Sequence, residues 1–484
     1  MKFEMHKRGF LKTLVIALLA TCISTQAQPA PKAKVFKAGA ATSNITPFLG
    51  AGIVGNFTIP PAKHINDELH ARCLVLDDGT TRLVFAVVDS VSVNREVFDA
   101  AKKQINEATG IPVENMMMSA THTHSGPSAR GENALAVGKP FDDYQTFLAR
   151  RIADGVRRAV NNLQPAKIGY GAGSVPQHVF NRRWKMKPGT KMTNPFGGED
   201  KVVMNPGVGN PNLLEPAGPT DPQVSFLSVQ STNGVPLALL ANYSLHYVGG
   251  VPNGVISADY FAVFANRIGE LLKAERTDVP FVGMLANGPC GDVNNINFAG
   301  KSEKRAPYEK MKIVAEDVAQ EVFKVYQTIQ HSDWVELKAA QSELTLAMRV
   351  ATPEQVKWAK EALAKPPTIS PVHRLEKAYA ERTLSAAEWP KDVRILLQAF
   401  RIGEFAVAAI PFETFAETGL ELKAKSPVKP MFVIELANGG YGYLPTPEQH
   451  ELGGYETWLG TNRVEKEASR KIVAVLLELL GKVK

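Results

Sequence analysis

The chain has 484 residues, of which 44% are hydrophobic and 21% charged, with a formal charge of +7. That length is too great for one small core, and the composition is that of a folded protein, which excludes a disordered or low-complexity chain. The positive charge is mild for this size and forms no long basic run, which excludes a nucleic-acid-binding surface.

At the amino end, Lys2, Lys7, Arg8 and Lys12 precede the apolar run LVIALLATCIS (14–24), and TQA (25–27) follows as a small-x-small pattern. Residues 1–27 therefore read as a secretory signal cleaved near Ala27, too short to span a bilayer comfortably, and the protein is expected to be secreted or periplasmic. LATC (19–22) loosely resembles a lipoprotein box, with anchoring at Cys22 as the minor alternative. Residues 28–36 read as a disordered lead-in. Cys73 and Cys290 remain after signal removal, without Cys-x-x-Cys spacing, either as a pair or as separate buried thiols.

Beyond the lead-in one pattern recurs. RLVFAVVD (82–89) is an apolar run of strand length. NREVFDAAKKQINEATG (94–110) places Val97, Phe98, Ala101, Ile105 and Ala108 on one helical face and stops at Gly110. NMMMSA (115–120) is again strand-like, so the three form a βαβ unit with a parallel strand pair. Four further strands end in polar or Gly-rich residues. LALLANYSLHYVGG (237–250) runs into His246, and VPFVGMLANGPCGD (279–292) into a tight turn and Asp292. EFAVAAIPFETF (404–415) leads to Glu413, read as opening a helix, and MFVIELANGGYGYLPT (431–446) leads to Tyr441 and Tyr443. In open α/β sheets, ligands bind outside the carboxyl ends of strands, so five segments deliver candidate groups to one place.

Residues 185–222, rich in Gly, Pro and Asn with little periodicity, read as a lid or a disordered excursion. Residues 353–388 read as helices broken at KPPTISP, and NRVEKEASRKIVAVLLELLGK as a terminal amphipathic helix packed on a sheet. There are no repeats and no second clear domain. The expected fold class is α/β: one large domain of mixed β-sheets with βαβ units, flanked by helices.

Two of only ten histidines fall in SATHTHSGP (119–127), at i and i+2, which on an extended chain face the same side. They suit three descriptions: surface residues, buried hydrogen-bonded residues, or a metal-and-catalysis pair. His-x-His alone is a weak signal, because a catalytic zinc needs three protein ligands and an open position. His246, Glu413 and Tyr443 share His122's place after a strand. Each also has an ordinary structural use: a satisfied core histidine, a first-turn carboxylate favoured by the helix dipole, and a packing tyrosine.

Taken together, LHARCLVLDDG (69–79), SATHTHSGP (119–127), FNRRW (180–184), NYSLH (242–246), ISAD (256–259), GPCGDVNN (288–295), IPFETFAETG (410–419) and YGYLPTPEQHELGGYE (441–456) resemble the neutral/alkaline non-lysosomal ceramidase family, specifically its catalytic N-terminal domain, from about Lys37 to the carboxyl end. The resemblance implies a catalytic domain over 37–484 with no C-terminal immunoglobulin-like domain. It also implies a zinc-dependent amidohydrolase of sphingolipid metabolism, acting on a small-molecule or lipid-like substrate. It makes His122, His246, Glu413 and Tyr443 the zinc ligands. His124, Arg182 and Tyr455 then stabilise the reacting group without binding metal. Asn294 stands where the family's Gly-Asp-Val-Ser loop carries a serine. An asparagine neither attacks nor usefully loses a proton, but it donates an amide hydrogen bond. The departure predicts metal-dependent hydrolysis with weak ceramide cleavage. A non-lipid substrate, such as a decorated sugar, and a non-catalytic zinc-binding role are the alternatives.

Overall fold

The strand Arg82–Val88 explains how the chain builds its layers. Leu83, Phe85 and Val87 face one core, whereas Val84, Ala86 and Val88 face another. A strand buried on both faces reads as a continuous apolar run, as this one does. It belongs to an eight-stranded mixed sheet whose spatial order is Val282–Asn287, Pro236–Tyr243, Gln223–Ser231, Gln164–Ser174, Lys37–Asn44, His70–Asp77, Arg82–Val88 and Met116–Ala120. The outermost pair at each edge is parallel, and the pairs between them are antiparallel. This computed structural model describes Met1 and residues 34–55, 58–129, 140–274 and 278–484, and Val35–Lys484 forms one compact unit. The expected signal sequence, apart from Met1, and most of the expected lead-in lie outside the described residues. Phe36, expected in the lead-in, is fully buried, and its carbonyl accepts from Ala166 N, so the fold already holds it.

A second sheet of four strands, Leu337–Ala347, Asp392–Ile402, Phe405–Ala409 and Met431–Ile434, packs face to face on the first. Leu337, Phe400, Phe405, Val407 and Phe432 meet Leu74, Phe85, Met117, Leu240 and Met284 in the shared core. The helices Arg95–Thr109 and Asp143–Asn161 cover half of the outer face of the large sheet, and Asp259–Leu271 and Glu309–Tyr326 cover the rest. Ala416–Lys425 and the terminal helix Ala468–Val483 cover the small sheet. The expected α/β class with mixed sheets and flanking helices is what the chain adopts. The strand–helix–strand unit over 82–120 and the packing of the terminal helix are as read from periodicity.

Two segments differ from expectation. Residues 185–222, read as a lid or a disordered excursion, carry short strands and so are not a structureless excursion. Arg183–Met186, Val202–Met204 and Leu213–Pro216 make a small antiparallel sheet, with Trp184, Met186 and Phe298 buried beneath it. Glu413 does not open a helix. It lies on a two-residue strand, Glu413–Thr414, paired in parallel with Tyr443–Leu444, and the helix begins at Ala416. Cys73 and Cys290 are both buried and free. Among the described residues no helix is long and apolar enough to cross a membrane.

The large sheet curls until its edges meet. Asn287 Nδ2, at the end of one edge strand, donates to Thr121 O at the end of the other, at 2.9 Å. The segment following Met431–Ile434 wedges between them. Glu435 N donates to Asn287 O, Ala120 N to Leu436 O, and Asn438 N to Met118 O. This closure gathers strand ends far apart in sequence.

Candidate functional site

The convergence starts with His122. Its φ is +66°, a left-handed conformation that non-glycine residues rarely adopt and that concentrates at functional sites. The pair is therefore not extended, and the two rings meet because the chain turns back, with centroids 4.7 Å apart and edge to face. His122 Nδ1 lies 2.7 Å from Val91 O, and His246 Nδ1 lies 2.8 Å from Cys290 O. A carbonyl only accepts, so both Nδ1 atoms carry the proton in the neutral rings, and each Nε2 presents a lone pair. Those two Nε2 atoms are 3.1 Å apart, and His124 Nε2 is 3.1 Å from His122 Nε2.

Glu413 completes the cluster. Its Oε2 lies 3.4 Å from His122 Nε2 and 3.6 Å from His246 Nε2, buried and without a hydrogen-bond partner. The strand pairing sets Glu413 directly opposite Tyr443. Burial opposes charge on Glu413, but His122 and His246 hold it below the ordinary carboxylate range. Burial, with Arg182 and His122 nearby, holds His246 well below the usual histidine range, and burial with the neighbouring imidazoles does the same for His124. With their Nδ1 atoms donating to carbonyls, His122 and His246 turn two Nε2 lone pairs toward each other beside the Glu413 carboxyl. Such a set is repulsive unless a cation sits at its centre, and nitrogen with carboxylate oxygen is a donor set for a transition-type ion. The residues therefore fit a metal ion.

The other expected residues surround this cluster. Arg182 lies over the Tyr443 ring at 5.3 Å and donates from Nε to Glu456 Oε1 at 2.9 Å. Its second terminal nitrogen, NH2, is buried with no partner. Burial would lower its pKa, but Tyr443 and Glu456 hold it well above. Tyr455 packs edge to face on Tyr443, with ring centroids 5.8 Å apart. Asn294 lies on a two-residue strand paired with Phe180–Asn181, beside Arg182. Its Nδ2 donates to Asn205 Oδ1 at 2.9 Å and its Oδ1 accepts from Ile296 N at 2.9 Å. Those two bonds cap a turn.

Sequence reasoning missed several supports. Tyr247 stacks on His124 at 3.7 Å between centroids. Gly55 presses against the same ring, where an added Cβ would stand 2.5 Å from it, so no side chain is accommodated there. Glu456, fully buried, takes both Arg182 and Arg183. Glu456 stands inside the last recognised motif, beside Tyr455, which was the available signal. Gly55 and Tyr247 carry no pattern of their own.

Residues 36–312 match the family model described as neutral/alkaline non-lysosomal ceramidase, N-terminal. Neutral ceramidase A of Dictyostelium discoideum is 26% identical over 208 residues, covering 40% of this chain and 26% of the relative. Neutral ceramidase of Pseudomonas aeruginosa is 26% identical over 184 residues, covering 36% of this chain and 24% of the relative. These alignments thus span about a quarter of the curated relatives' own length. The crystal structure of the Pseudomonas aeruginosa neutral ceramidase superposes with a TM-score of 0.68 at 19% identity, covering 92% of this chain and 74% of that one. With the family model matched over more than half of its length, this chain belongs to the neutral/alkaline non-lysosomal ceramidase family.

Proposed function

We propose that the protein is an exported, zinc-dependent amidohydrolase that cleaves the N-acyl bond of a ceramide-like lipid amide. The observation that carries this reading is the unpartnered Glu413 oxygen beside the Nε2 atoms of His122 and His246, with His124 Nε2 against His122, inside a family whose named relatives are neutral ceramidases. His122, His246, Glu413 and Tyr443 would hold the ion. When bound, zinc supplies Lewis acidity and lowers the pKa of water to about 7.

The chain's own groups do the rest. Val91 O and Cys290 O fix the tautomers of His122 and His246, so the Nε2 lone pairs of the neutral rings point inward. Arg182 NH2 is a buried cationic donor with nothing to bond, suited to the oxyanion that develops on the acyl carbonyl. Glu456 holds that guanidinium in place through Nε. His124, clamped between Tyr247 and Gly55, faces the same space and is placed to hold or move a proton at its Nε2.

The test uses the purified protein and a short-chain N-acyl sphingosine with a fluorescent acyl group. Release of free fatty acid and amine, abolished by a chelator and restored by zinc, is the expected result. Unchanged hydrolysis after chelation would refute the metal role. Binding of zinc without any amide hydrolysis would favour the non-catalytic alternative.

A further inference from the structure

Behind the histidines lies a second buried carboxyl, Glu435, at the wedge between the sheet edges, and it is fully buried. Its Oε1 accepts from Cys290 Sγ at 2.9 Å. Its Oε2 accepts from Cys290 N at 3.2 Å and Thr414 N at 2.7 Å. Cys290 is the residue whose carbonyl accepts from His246 Nδ1 at 2.8 Å, and Thr414 is the residue after Glu413. One carboxyl group thus ties together the two peptide segments that carry or orient His246 and Glu413.

Two descriptions compete. His246, Cys290 and Glu435 offer ligand atoms within 4.8 Å of one another, which suits a second cation with His246 as a bridge. However, every donor there already has a protein acceptor. The imidazole Nδ1 meets a carbonyl, and the thiol meets the carboxyl. This contrasts with Glu413 Oε2, which is buried with none. The trio is complete as a hydrogen-bond network.

We propose that Glu435 is a positioning residue for the metal centre: it sets His246 through the Cys290 peptide and Glu413 through the Thr414 peptide, and holds no metal itself. The inference rests on the reading that His246 and Glu413 are metal ligands. Outer partners of metal-ligating groups commonly contribute as much as tenfold to a hundredfold in affinity.

The experiment measures zinc affinity of the full chain by competition with a chelating chromophore, and zinc per chain by mass spectrometry. Thermal unfolding of the metal-free form checks folding separately. Glu435→Gln keeps the length and one oxygen for both peptide N–H groups, whereas Glu435→Asp keeps the carboxyl group but draws it back by one methylene. Glu435→Asp should weaken zinc by about 10- to 100-fold while Glu435→Gln stays within about threefold of the unmodified protein. Cys290→Ala, which removes the thiol but leaves the peptide, should also stay within about threefold, and it decides the matter if Glu435→Asp does not fold. Native affinity in Glu435→Asp, or equal loss in the Gln variant, would overturn the inference. So would a second zinc per chain that disappears with Cys290→Ala. Zinc binding absent from the unmodified protein would instead overturn the metal reading on which the inference rests.

Discussion

His122 and His124 are two residues apart yet have different surroundings. His122 has its far nitrogen fixed by Val91 O, whereas His124 Nδ1 is buried without a partner and its ring is set by Tyr247, Gly55 and the contact of its Nε2 with His122. A ring held by stacking is free to exchange a proton, and a ring fixed to a carbonyl is built to ligate. His124→Ala should therefore retain zinc and lose turnover about 100-fold, the scale of losing one transition-state group. Metal analysis alongside a kcat measurement checks this, and loss of zinc would make His124 a ligand. Asn294 is set by its own two bonds. Serine caps a turn comparably but does not reach Asn205, so Asn294→Ser should cost about 1 kcal/mol of stability and leave zinc content unchanged. Denaturant unfolding measures the first, and a large gain in ceramide cleavage by this variant would show that the family serine matters more than the cap.

The turn Gly288–Asp292 works as an element. Gly291 N donates to Thr414 O, and a Cβ at Gly291 would stand 2.4 Å from Glu413 O. A side chain there must push the Glu413 strand away. Gly291→Ala should destabilise by roughly 1–3 kcal/mol, as overpacking does, and weaken zinc as well. A variant with unaltered zinc affinity would show that the strand absorbs the shift. The helix Arg95–Thr109 carries the other element-scale constraint. Lys102, on its buried face, donates to Asn438 Oδ1 at 2.8 Å, and burial pulls its pKa down to about 8. An unfolded lysine binds its proton up to about 10.4, so between those values the unfolded state holds more protons and stability rises with pH. The contribution is fully present only above the unfolded pKa, is lost as pH falls through about 8, and amounts to at most about 3 kcal/mol. Unfolding from pH 7 to 10 should show this slope in the unmodified protein and lack it in Lys102→Met.

These elements also show what the sequence made legible. Apolar runs such as 82–88 and the helical face of 95–109 announced themselves through period and length, because packing on both faces leaves no other composition. Glu413 was misread because a proline followed by a carboxylate before an apolar stretch resembles a helix start. Its true partner, Tyr443, is 30 residues away, and a two-residue strand pair has no periodicity to read. The small sheet within 183–216 was hidden for a related reason, since its strands have only three or four residues. The cluster residues were named by motif, but Glu435 and Gly55 act through backbone contacts that composition does not encode.

At the scale of the molecule, the closed edge of the large sheet and the wedge from the small one bring residues 122, 246, 413 and 443 together. A bound ion would tie both sheets into one unit, so its binding energy adds to folding stability by mass action. The most direct test of the whole reading is zinc content by elemental mass spectrometry of the purified full-length protein, beside His122→Ala and His246→Ala. The expected result is about one zinc per chain in the unmodified protein, absent from both variants that remain folded. An unmodified protein without zinc after incubation with the ion, or full zinc retention in both variants, would contradict it.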